Sequence, residues 1–125
     1  MVARRLLLLL ALPRFTGPAE VWLPGIVSTE ASEIKPAFSP RGDRLLWGST
    51  NRRGGAGGWD IWETVRSGSG WGAPRPVTFN SPANDFDPCF AADGSGVYFF
   101  SNRPGGMGGD DLYFAPFDAA RGTYG

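Results

Sequence analysis

Two stretches of the chain, Arg44–Ser49 (RLLWGS) and Val97–Ser101 (VYFFS), are short, apolar and rich in aromatic or branched residues. Runs of this length read as buried strands. Between them, Asp60 to Arg66 alternates Ile61, Glu63 and Val65 with Trp62, Thr64 and Arg66. That two-residue period belongs to a strand with two unlike faces. Arg75 to Phe79 reads as a further strand between proline-marked boundaries, and Arg41-Gly42 and Asp93-Gly94 fall where hairpins need their turns. No window carries sustained helical periodicity with caps. The pattern predicts an all-β chain.

The strands recur. Ile34–Gly42 (IKPAFSPRG) matches Phe86–Gly94 (FDPCFAADG), placing Pro36 on Pro88, Phe38 on Phe90 and Gly42 on Gly94, 52 positions apart. The apolar strands match at the same spacing. Asn51–Trp62 then matches Asn102–Tyr113 through a glycine-rich run, with Asp60 on Asp111, and Trp71-Gly72 matches Tyr124-Gly125. One-residue slips fall in loops, which tolerate them. About four strands per repeat of roughly 50 residues is the signature of a β-propeller blade. A partial third copy precedes these two, because Val27-Ser28-Thr29 before Ile34 parallels Phe79-Asn80-Ser81 before Phe86. The expected division is 1–19 a signal peptide, 20–33 the end of a preceding blade, 34–85 the first full repeat and 86–125 the second, truncated before its last strand. Phe38 and Phe90 are expected in equivalent buried positions.

A glycine run that occurs at equivalent points of two repeats reads as a connecting loop rather than a phosphate cradle. Neither copy ends in the Lys-Ser/Thr of a P-loop, and Lys35 is the chain's lysine.

Composition narrows the function. Twelve basic and twelve acidic residues balance to zero, so no basic face is indicated for nucleic acid. The chain has no histidine, which removes the usual general base, the usual zinc ligand and any Ser-His-Asp triad built from this chain alone. The single Cys89 rules out an internal disulfide and reads as a small buried hydrophobe. At the N-terminus, Arg4 and Arg5 precede the apolar run Leu6–Leu12, followed by small residues at Gly17-Pro18-Ala19. The run is too short to span a bilayer and has the form of an export signal, so the protein is expected to be periplasmic or secreted.

The motif P-x-F-S-P-x-G, an apolar strand, S-x-N-R, a glycine-rich loop and D-[IL]-[WY] resembles the WD-like repeat of the TolB-type propellers, in Pro36–Trp62 and again in Pro88–Tyr113. The second copy departs from it at Ala91-Ala92. The resemblance implies a non-enzymatic scaffold of the bacterial-type cell envelope or exterior that engages a protein or peptide partner. Closure of a propeller takes four to eight blades, so further blades or self-association are expected. Alternative readings are an accessory propeller of a prolyl-oligopeptidase-like hydrolase and a glycan- or peptidoglycan-binding propeller.

Asp60 and Asp111 are expected to fix their glycine loops by accepting backbone N–H bonds. No cofactor is assigned. A calcium site, were there one, would draw on Asp85, Asp87 and Asp111, although EF-hand spacing is absent. No Ser lies in G-x-S-x-G, and no catalytic residue is assigned. Trp59 has Asp110 as its counterpart, so no blade rule demands an aromatic there, and it is the candidate for a partner surface.

Overall fold

A computed structural model describes residues 17–125. Arg4, Arg5 and the Leu6–Leu12 run lie outside the described residues. The described residues form two antiparallel sheets, each built on consecutive neighbouring strands. The first contains β1 (Ser32–Phe38), β2 (Arg44–Thr50), β3 (Trp59–Ser67), β4 (Gly70–Trp71) and β5 (Arg75–Pro76), in the order β1-β2-β3-β4 with β5 also on β3. The second contains β6 (Asp85–Phe90), β7 (Gly96–Ser101), β8 (Asp111–Asp118) and β9 (Thr123–Tyr124), in the order β6-β7-β8-β9. They are two successive propeller-type blades. One isolated parallel bridge joins Pro24 and Ser28. No helix among the described residues is long and apolar enough to cross a membrane.

The repeat is visible in the backbone. Phe38 pairs with Leu45 and Phe90 with Val97. Both first strands carry a bulge at the same place, with Lys35 (φ 52°) and Asp87 (φ 52°) in the left-handed region just before the recurring proline, Pro36 or Pro88. Gly42 (φ 69°) and Gly94 (φ 75°) close the equivalent hairpins, a conformation that a Cβ disfavours.

Each strand has two faces with different partners. Leu46, Ile61 and Val77 of the first blade pack against Val97, Phe99 and Ala115 of the second, forming one core between the sheets. On the opposite side of the first blade, Leu45, Trp47 and Trp62 are buried under the incoming segment at Leu23, Ile26 and Val27, with Trp71 alongside. The forward side of the first blade therefore meets the second blade, and the rear side of each blade meets what precedes it.

Three expectations are corrected by this arrangement. Phe38 and Phe90 share a register but not an environment: Phe90 packs against the inter-blade core, whereas Phe38 is 50% exposed. Phe90 lies on the rear side of the second blade, which the first blade covers; Phe38 lies on the rear side of the first. Pro88 and Pro36 divide the same way, one buried and one exposed. Cys89 is exposed rather than buried, because it lies on the forward side of the second blade. Its counterpart Ala37 is covered by that blade and packs on the core. Finally, the strand expected over Arg75 to Phe79 ends after Pro76. Val77 still donates to the Ile61 carbonyl, and the Asn80 side chain then engages both Ile61 backbone groups, accepting from its N–H at 2.9 Å and sharing its carbonyl with Val77 through a donated bond of 2.8 Å. An amide side chain thus replaces the ladder.

Candidate functional site

Most of the polar residues singled out by the repeat are occupied in holding backbone. The Asp60 carboxylate accepts from Ala56 N–H at 3.0 Å and Gly57 N–H at 3.1 Å. Asp111 accepts from the equivalent donors, Met107 N–H at 2.7 Å and Gly108 N–H at 3.2 Å. The surroundings differ. Asp60 is buried, and a Cβ on Gly57 would collide with the backbone of Pro82 and Ala83, so the first loop is pressed onto the chain that leads into the second blade. Around Gly108 there is open space.

The arginine of each S-x-N-R motif performs a task that motif matching did not assign. Arg52 lies over the Trp47 and Trp62 rings and donates to the Ile26 carbonyl (2.7 Å) and the Val27 carbonyl (3.2 Å). Arg103 lies over Phe99 and Tyr113 and donates to the Phe79 carbonyl at 2.8 Å and to Asp85 at 2.7 Å. In both repeats the guanidinium rests on two aromatic faces and clamps the chain entering the blade. Its recurrence with two aromatics at fixed offsets was the signal available in the sequence.

Asp85 is fully buried, accepting from Arg103 and from the Ser81 backbone and hydroxyl. Asp87 occupies the bulge. The three aspartates do not converge, and no group of three or more acidic or cysteine side chains is arranged for a metal among the described residues. Trp59 is half-buried at the start of β3, with its N–H on Asn84 Oδ1 at 2.9 Å.

A polar cluster lies on the seam between the blades. Glu63, 4% exposed, accepts from Arg44, from Arg75 at 2.8 Å and from the Tyr124 hydroxyl at 3.0 Å. Arg44 sits over the Phe117 ring. Burial works against the Arg44 charge, but Glu63 beside it outweighs that and lifts its pKa above the ordinary value. Burial also pushes the Tyr124 hydroxyl above the ordinary tyrosine range, and the Glu63 charge adds to the shift. In the second blade Gly96 and Phe114 take the places of Arg44 and Glu63. The Phe114 ring lies where a Gly96 side chain would be, so glycine is required there.

One cleft of ≈ 230 Å³ opens beside this seam at the hairpin-turn end of both sheets. Val65, Phe90 and Phe117 supply its apolar lining, and Arg41, Asp43, Arg44 and Asp93 its charges. Hydrogen bonds from Ser39 to Asp43, and from Ser95 to Asp93, hold both carboxyls below the ordinary range, so they stay ionised. The cleft thus offers an apolar lining with fixed charges of both signs. Comparison with known proteins finds no family model and no curated protein that matches the chain.

Proposed function

We propose that the protein is a non-enzymatic propeller scaffold of the TolB-like kind that binds a protein or peptide segment. The observation supporting this is the cleft between the two hairpin turns, where Arg41, Asp43 and Asp93 accompany the apolar surfaces of Val65, Phe90 and Phe117. An extended peptide presents apolar side chains and charged groups in the same combination. The site works in the periplasm or outside the cell, in keeping with the export-type N-terminus. Terminal mapping of the exported protein should find Met1 removed together with the apolar run, and an intact Met1 rejects export.

The binding reading is tested by peptide display against the full chain, followed by titration of enriched peptides. Arg41→Glu and Asp93→Lys, both at exposed turn residues, should weaken binding at least tenfold while the circular dichroism spectrum is unchanged. Failure to enrich any peptide, or binding indifferent to both substitutions, overturns it.

A further inference from the structure

The forward side of the second blade is an uncovered apolar surface. Tyr98 is 42% exposed, Leu112 60% and Phe114 44%, with Phe100 beside them. By the repeat, Tyr98 and Leu112 correspond to Leu46 and Ile61, which the second blade buries completely in the first. The same is true of the loops: Gly57 is pressed onto the following chain, while its counterpart Gly108 faces open space. Cys89, exposed, corresponds to the packed Ala37. Each of these positions that would meet a succeeding blade is uncovered.

The rear side of the first blade is the matching half. The incoming segment is already clamped there by Arg52, as the segment before the second blade is clamped by Arg103. What this segment leaves uncovered is aromatic. Trp22, Phe38 and Trp71 pack edge-on and tilted with ring centres 6.0–6.3 Å apart, and Trp22 and Phe38 are about half exposed.

We propose that the forward side of the second blade docks on the rear side of the first blade of a second copy of this chain, head to tail. The contact repeats the seam inside the chain, whose two halves are the repeat equivalents of these two faces. The identities at one position argue for a second copy. Inside the chain, Glu63 receives a hydrogen bond from Tyr124. Across the proposed contact Phe114 takes the place of Glu63 and Trp71 that of Tyr124. The carboxylate has become a phenyl ring and the tyrosine hydroxyl has given way to an indole, so each seam is matched within itself. A head-to-tail contact closes into a ring or continues as a chain of copies, depending on its rotation. This association is separate from peptide binding at the cleft and is read by mass rather than by ligand.

The test is sedimentation of the full chain over a concentration series, alone and with two single variants. Leu112→Glu spoils the forward side and Phe38→Glu the rear side; Phe114→Glu and Trp22→Glu serve as second choices should either fail to give a wild-type circular dichroism spectrum. Wild type should exceed the monomer mass of 13.4 kDa. Each variant alone should be monomeric. Their equimolar mixture should form a 1:1 dimer and stop there, since one intact forward face meets one intact rear face. Alkylation of Cys89 should be fast in either variant and at least tenfold slower in associated wild type. A wild type that stays monomeric, variants that associate as wild type does, or a mixture that stays monomeric would each overturn the proposal.

Discussion

Replacing Asp60 and Asp111 by alanine should separate two loops that look alike in sequence. Each substitution removes one carboxylate and strands two backbone N–H groups. An unpaired buried donor costs about 1–3 kcal/mol, whereas an exposed one finds water and costs only the net value of its bond, about 0.5–1.5 kcal/mol or less. The Asp60 bonds are partly buried, beneath the chain that leads into the second blade. The Asp111 bonds are exposed. Asp60→Ala should therefore cost about 2–3 kcal/mol and Asp111→Ala about 1 kcal/mol. At about 4 °C per kcal/mol, between the values for smaller and larger domains, the Asp60 variant should melt roughly 4–8 °C below the Asp111 variant. Thermal melts by circular dichroism with and without calcium measure this, with Asp60→Asn, which keeps one acceptor, expected between wild type and Asp60→Ala. Equal losses would refute the burial reasoning. A calcium-dependent rise in the wild-type melting point, abolished only by Asp111→Ala, would show that the second loop is a metal site instead.

Glu63→Ala leaves Arg44 and Arg75 without their shared carboxylate and should cost about 3–5 kcal/mol, as breaking a buried ion pair does; Arg44→Met with Glu63→Leu should recover most of that in a chemical-denaturation cycle, and a single-variant loss under about 1 kcal/mol would contradict the assignment. Tyr124 keeps its proton in the folded chain to higher pH than in the unfolded one, so its contribution is complete below the ordinary tyrosine pKa of about 10 and declines as pH rises above it. Denaturation at a series of pH values should show a steeper alkaline loss for wild type than for Tyr124→Phe, and parallel curves would remove Tyr124 from the seam.

The architecture was legible because the signals were local and repeated: the alternation in β3, the hairpin glycines and the paired aspartates all follow from short-range backbone chemistry. The environments were less legible because they depend on neighbours. Phe38 and Cys89 read as core from residue type, yet each lies on a blade side that no other sheet covers. The end of β5 was hidden because Asn80 supplies through a side chain what the apolar pattern assigned to a strand. For the site, motif matching named the aspartates but gave no task to Arg52 and Arg103; their recurrence with two aromatics was the one signal, since the carbonyls they hold, and the Asp85 carboxylate for Arg103, lie outside the motif. The cleft draws its lining from turns of both repeats, a juxtaposition that single-repeat patterns do not encode.

The exchange of Arg44 and Glu63 for Gly96 and Phe114 bears on how such a chain assembles without error. Tandem repeats risk docking in the wrong order, since each blade resembles its neighbour. If the forward side of a first blade met the rear side of another first blade, Glu63 would face Trp71 and keep Arg44 and Arg75 but lose the Tyr124 hydroxyl that now donates to it. If two second blades met, Phe114 would cover the Tyr124 hydroxyl without its carboxylate. The first mispairing forfeits one hydrogen bond and the second leaves a covered hydroxyl unpartnered, penalties that correct pairing avoids. The groups that hold the right neighbour at the seam thus make a wrong one less favourable.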